Sequence, residues 1–375
     1  MCKNVQSNIE VRDGGAKMKT KASRIRFLAM VSLGTLCLGL FGSVALAQGE
    51  PDSDKDNQRS TAEDFLRLGV RPIAIGHHGV GPNSGVNPNP ALPIENTVDS
   101  VRQAYTLGAR VVEVDVQLTQ DGQLAVFHDD FLGDFTCIHA LTLDQLQQRL
   151  PYVPELRQVI NVAREFNNRA GDDLGGILIV ELKAFSPHCD PGDVLEQAVV
   201  SAAVSEVRRA KMADRVIFDS FSPALLYLSA QTAPEIPREL DISGLQLLTP
   251  AQIQAITGFP VTIINKKNSL GLTWAEIGPV FRLPGYASAQ QFLATGMATS
   301  VRVVGGEMDF FGPAEQQQPG SGAAFVGAAH SLGLRVFADP AGSEADWNFF
   351  ASLGVDAIYS TIPLGVRLQP AIPEP

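Results

Sequence analysis

Between Gly76 and Asp130 the chain sets out four short runs in order: Gly76-His77-His78-Gly79, Glu95-Asn96-Thr97, Glu113-Val114-Asp115 and His128-Asp129-Asp130. Imidazoles beside spaced carboxylates supply proton donors and acceptors together with oxygen ligands for a hard cation, which is what cleavage of a phosphodiester needs. Glu113 and Asp115 are two apart, so on a strand they project from one face while Val112, Val114 and Val116 take the other. Two like charges on one face repel, and their apolar neighbours argue against a solvated acidic edge; the pattern points to a cation site. Farther on, Ile177-Leu178-Ile179-Val180-Glu181-Leu182-Lys183 ends an apolar strand in the same way. Glu181 there could complete the oxygen shell and Lys183 could hold a phosphate oxygen.

The two histidine runs need positioning by the elements around them. His77 and His78 end a candidate strand, Ile73 to Gly76, where alternation aims only one of the two inward. Asp121-Gly122 is a tight-turn pair that sends Gln123 to Phe127 back antiparallel. If those two residues form the whole loop, His128 falls opposite Asp115, on the acidic face. His139, His188 and His330 stand apart and read as structural or surface residues. Neither a nucleophile elbow, nor a Cys-x-x-Cys pair, nor His-Glu-x-x-His occurs, so serine-hydrolase, thiol-redox and zinc-protease chemistry have no footing.

Three helix-stop-strand units recur: Leu107-Gly108 before Val111, Leu332-Gly333 before Arg335, and Leu353-Gly354 before Asp356. In each, Gly falls where a helix end needs a left-handed residue and a short apolar run follows, the rhythm of buried parallel strands. Further strands are expected at Gly176–Glu181, Val216–Asp219, Val261–Asn265 and Ser300–Val304. Helices are expected at Thr97–Leu107, Pro154–Phe166, Pro191–Ala210, Ser222–Gln231, Pro250–Thr257, Ser288–Thr295 and Gly322–Leu332. About eight strands in such alternation predict a single α/β (β/α)8 TIM-like barrel with its site at the C-terminal ends of the strands, over residues 69–370. A doubly wound open sheet is disfavoured because no glycine-rich phosphate fingerprint follows the first strand.

The first 47 residues read as a signal peptide, with Met18 as an alternative start: Lys19, Lys21, Arg24 and Arg26 precede the apolar Phe27–Leu40 and the small-residue site Ala45-Leu46-Ala47. Residues 48–68 read as a disordered lead-in. The leader holds seven Lys/Arg and two Asp/Glu, so the remainder has 22 basic and 38 acidic residues, a net charge of −16. That balance disfavours nucleic acid, and no stable membrane association is expected after cleavage. An exported chain, periplasmic or extracellular, is the expectation. Cys137 and Cys189 remain, and a disulfide between them would contribute about 4 kcal/mol on the loop-entropy account.

Taken together, Ile75-Gly76-His77-His78-Gly79, Glu95-Asn96-Thr97, Val112 to Val116, Leu118 to Gly122, Val126-Phe127-His128-Asp129, Val180 to Lys183, Asp219-Ser220-Phe221 and Leu353 to Asp356 resemble the glycerophosphodiester phosphodiesterases. The resemblance implies a phospholipase-C-like barrel that hydrolyses a small-molecule glycerophosphodiester to glycerol 3-phosphate and an alcohol. It implies His77 and His128 as the acid and base, Glu113, Asp115 and Glu181 as ligands of one divalent cation, calcium or magnesium, and Lys183 near the phosphate. Where that family usually has Arg after the first histidine, this chain has His78, the candidate for a substrate contact. The loop Gly79–Ile94 is longer than in simple members, Ser360-Thr361 replaces Thr-Asp, and Phe337-Ala338-Asp339-Pro340 replaces Trp-Thr-Val-Asn. Hydrolysis of intact phospholipid, or metal binding without catalysis, are the competing readings.

Overall fold

The computed structural model describes residues 61–85, 88–167, 175–244, 249–273 and 286–371. The leader at 1–47 and residues 48–60 lie outside the described residues.

Eight parallel strands close into a barrel: β1 (Ile73–Gly76), β2 (Val111–Leu118), β4 (Ile177–Leu182), β5 (Val216–Ser220), β6 (Arg238–Ile242), β7 (Val303–Glu307), β8 (Arg335–Ala341) and β9 (Ala357–Ser360), with β9 pairing back onto β1 and β1 onto β2. A short β3 (Leu124–Val126) lies antiparallel on the end of β2. Helices fill the connections, as parallel pairing requires. They start and stop where the chain supplies caps: Thr97, Ser222 and Ser343 accept from backbone N–H groups of the first turn, and Gly354 closes the helix Glu344–Leu353 at φ 82°.

Strand alternation sorts the side chains by parity. Even-numbered Val112, Val114, Leu178, Val180 and Phe218 pack outward under the helices. Odd-numbered Ile73, Ile75, Val111, Ile177, Ile179, Ile217, Val303 and Phe337 fill the lower half of the interior. The odd-numbered series then turns polar towards the strands' C-terminal ends: His77, Glu113, Asp115, Glu181, Lys183, Asp219, Glu239, Asp241, Glu307 and Asp339. A barrel of this kind is therefore a packed core below and a chemical site above.

Residues 62–67 depart from the expected disordered lead-in. Ala62–Arg67 is a helix whose N-cap Thr61 forms a reciprocal box with Asp64, and its Ala62, Phe65 and Leu66 are buried against the lower barrel. Burying Phe65 and Leu66 contributes roughly 1.5–3 kcal/mol each, enough to order a segment whose sequence is otherwise polar. Two strand expectations are corrected as well. Val261–Ile264 is a short helical turn, not a strand, and the missing strand is β6, Arg-Glu-Leu-Asp-Ile. Its inward residues are acids, so it lacks the apolar run by which a buried parallel strand is recognised.

Candidate active site

The hairpin that brings His128 to the site is not the two-residue one. Val116 pairs with Val126 and Leu118 with Leu124, so the loop is Gln120-Asp121-Gly122, with Gly122 at φ 75°. A three-residue loop ending in a left-handed residue shifts the register by one, which sets Phe127 opposite Asp115; the Phe127 N–H donates to the Asp115 carbonyl at 3.1 Å. His128 lies beyond the paired segment and reaches the same cavity from the loop, its ring 5.4 Å from that of His78.

His77, His78, His128, Glu113, Glu181 and Lys183 line one cavity of about 440 Å³ at the strand ends, shared with Asp219, Asp241, Glu307 and Asp339. Asp115 lies just beneath, fully buried. The His77 and His78 rings are 3.9 Å apart, so His78 stands between the two proposed proton-transfer groups. His78 takes φ 49°, the left-handed turn that lets two successive histidines both face inward. Three contacts hold it: its N–H donates to Glu113 Oε2 at 2.8 Å, its Nε2 is 3.2 Å from Asp115 Oδ2, and its Nδ1 is 3.4 Å from Glu95 Oε2. The imidazole is thus clamped between two carboxylates.

Two neighbours without an assigned role from sequence do much of the positioning. Asn96, itself left-handed at φ 57°, donates from Nδ2 to Asp115 Oδ2 at 2.7 Å and accepts from the Asp115 N–H at 3.1 Å. Glu95 Oε2 also accepts from the Asn83 N–H at 2.8 Å, and Asn83 Nδ2 donates to the carbonyls of Leu92 and Pro93, which organises the long loop around the site. Cys137 and Cys189 are joined in a disulfide, and the Ser186 N–H donates to Asp130 Oδ2 at 2.7 Å, so the loop carrying His128 is fastened to the loop after Lys183.

The electrostatics divide the site's groups. Burial, reinforced by the neighbouring His78, holds the His77 pKa well below the ordinary imidazole value. Burial works against the Lys183 ammonium, but Asp115 and Glu181 outweigh it and hold it charged, with Nζ 2.8 Å from Asp115 Oδ1 and 2.7 Å from Glu181 Oε1. Glu113 is pushed well up by burial and by its two acidic neighbours, and Glu181 is raised to about 8, chiefly by burial. Ligand oxygens of Glu113, Asp115 and Glu181 lie within 4.8 Å of one another, and Glu113 Oε1 is buried with no hydrogen-bond partner. An all-oxygen triad with an orphaned, buried carboxylate oxygen fits a hard divalent cation.

Against known sequences, the glycerophosphoryl diester phosphodiesterase family profile matches residues 82–361. The chain belongs to that family. Among curated relatives, a glycerophosphocholine phosphodiesterase of Eremothecium gossypii is 42% identical over 88 residues, 22% of this chain and 6% of that protein. A glycerophosphodiester phosphodiesterase of Caldanaerobacter subterraneus is 26% identical over 185 residues, 44% of this chain and 65% of the relative. The chain thus matches less than two thirds of either relative's length. Among solved structures, a putative family member from Silicibacter pomeroyi superposes with a TM-score of 0.56 at 19% identity, over 80% of this chain and 94% of that one. A phosphodiesterase of Oleispira antarctica, solved with the product sn-glycerol-3-phosphate, gives 0.52 at 21% identity over 79% and 95%. These likenesses establish the barrel fold of the family member described above.

Proposed function

We propose that this family member hydrolyses glycerophosphodiesters to glycerol 3-phosphate and an alcohol, with His77 as general base and His128 as general acid. The observation that carries the reading is the convergence of both histidines, Lys183 and the Glu113-Asp115-Glu181 triad on one cavity mouth. Its low pKa leaves His77 neutral near pH 7, ready to take a proton from the attacking hydroxyl. His128 is half-exposed, its Nδ1 2.7 Å from Asp129 Oδ1, a contact that orients the ring for donation to the leaving oxygen from Nε2. A divalent cation held by Glu113, Asp115 and Glu181, calcium or magnesium by its oxygen donors, would supply charge neutralisation at the phosphoryl group. Lys183, now held by two of those carboxylates, would turn to a phosphate oxygen once they are neutralised.

Export to an oxidising compartment is part of the proposal, supported by the Cys137–Cys189 disulfide and the leader-like first 47 residues. No helix among the described residues is long and apolar enough to cross a membrane. The test is turnover of glycerophosphocholine, glycerophosphoethanolamine and intact phospholipid, with and without chelator. Release of glycerol 3-phosphate from the deacylated diesters, abolished by chelation and by Glu113→Gln, is expected. Turnover of the intact lipid alone would overturn the substrate reading, and full activity after both treatments would overturn the metal reading.

A further inference from the structure

A second group of carboxylates sits in the barrel with no role in the chemistry above. The strand registers align Asp115 with Glu181, Glu181 with Asp219, and Asp219 with Glu239, so one inward row of acids crosses four neighbouring strands. Asp115 and Glu181 are met by Lys183. Asp219 and Glu239 are instead joined by Asp241, two residues along β6, and ligand oxygens of these three lie within 4.8 Å of one another.

Two further observations concern their oxygens. Asp219, Glu239 and Asp241 are 2%, 0% and 6% exposed, yet Asp219 Oδ1, Glu239 Oε1 and Asp241 Oδ1 have no hydrogen-bond partner outside their own group. Tyr359 Oη donates to the other Glu239 oxygen, Oε2, at 2.7 Å, which leaves Oε1 turned to its acidic neighbours. The strand beside them makes room for the carboxylates: a Cβ on Gly305 would lie 1.6 Å from Asp241 Oδ1 and 2.8 Å from Glu239 Oε1, so only glycine lets the two oxygens lie against the β7 backbone. Buried oxygens left without a donor are unfavourable, and a cation that takes all three relieves them together. A hard cation with bonds of about 2.4 Å spans oxygens up to about 4.8 Å apart.

We propose that Asp219, Glu239 and Asp241 form a second divalent-cation site, separate from the Glu113-Asp115-Glu181 triad, with Gly305 letting the Asp241 carboxylate turn in beside that of Glu239. Its donors are all oxygen, so it takes the same class of ion: calcium, magnesium or manganese. Glu181 and Asp219 are register partners, which puts the two sites on adjacent strands of one barrel mouth.

Counting Mn2+ on the chelator-stripped full chain tests this, the free ion being read by electron paramagnetic resonance. Two bound ions per chain are expected, falling to one in Asp241→Asn and one in Glu239→Gln, and likewise to one in Glu113→Gln. Melting of each variant in chelator gives the folding control, and Asp241→Asn should melt close to the native chain because the amide keeps the carboxyl's shape. A single ion on the native chain, lost in Glu113→Gln, would overturn the second site; so would two ions retained by both Asp241→Asn and Glu239→Gln. Because the readout is stoichiometry, failure of the diester assay leaves this result interpretable, and the converse holds.

Discussion

The two halves of the barrel mouth carry acids at equivalent strand positions but handle them differently. Along β1, β2 and β4, the carboxylates of Glu113, Asp115 and Glu181 are accompanied by His77, His78 and Lys183. Along β5 to β8, Asp219, Asp241, Glu307 and Asp339 line the same cavity, and Lys183 is the only lysine or arginine among its described lining residues. On that side burial pushes Asp219, Glu239 and Asp339 far above the carboxylate range and Asp241 up to about 7. Burial raises Glu113 and Glu181 in the first half as well, so what sets that half apart is its histidines and the Lys183 ammonium, which keeps Asp115 charged, whereas no lysine or arginine among the described lining residues meets the acids of the second. A barrel can hold both because each strand contributes an independent side chain to a shared rim.

The largest expected contrast between the halves is in turnover. His77→Ala should lower kcat/KM by about 10²–10⁴-fold, the usual worth of a positioned acid or base, with the melting temperature little changed. An equal loss from Glu307→Gln would erase the distinction between a catalytic and an acidic half. The pH profile sharpens the same point. A base works only when deprotonated, and His77 has its pKa depressed by burial first and by His78 next, so activity should persist below pH 6.5 and fall only at lower pH. An acid limb centred above 6.5 would remove His77 from the role of base.

The two halves were also unequally legible in sequence. Glu113-Val114-Asp115 and Glu181-Leu182-Lys183 announce themselves because each breaks a valine- or leucine-rich strand at period two, and apolar strands are what sequence patterns detect. β6 hid its acids by having no such run, and Val261-Thr-Ile-Ile looked more strand-like than the strand itself. Asp339 was visible only as a departure from Trp-Thr-Val-Asn, without the barrel that gives it inward direction. The placement of His128 needed the hairpin register, and one extra loop residue was enough to shift it. Glu95 and Asn96 were seen as a run, but their partners His78 and Asp115 are 17 and 19 residues away, a long-range contact that local pattern does not encode.

A second difference between the halves is mechanical. Cys137 and Cys189 tie the loops that follow β3 and β4, on the catalytic side only. Cys137→Ser with Cys189→Ser should lower stability by about 4 kcal/mol at most on the loop-entropy account, seen as a lower denaturant midpoint with a somewhat steeper slope as the unfolded chain expands. Because the tied loop carries His128, kcat/KM should fall as well, while Mn2+ binding at Asp219, Glu239 and Asp241 should survive. Loss of both ions together would mean that the halves are held as one unit.

The smallest effect is expected at Tyr359, which closes the acidic half from below. Its ring is buried beside Phe337, with centroids 6.3 Å apart, and its hydroxyl donates to Glu239 Oε2 at 2.7 Å. Tyr359→Phe keeps the packing and removes one buried hydrogen bond, so a loss of about 1 kcal/mol is expected. In a protein of this size that corresponds to a melting shift of roughly 2 °C. Turnover should stay within a few-fold of the native chain, because the hydroxyl touches an acid assigned to ion binding rather than to proton transfer. His77 is the check on that assignment: its ring lies 6.0 Å from the Tyr359 ring, so a drop in kcat approaching that of His77→Ala would place the hydroxyl in the catalytic half and redraw the boundary between the two.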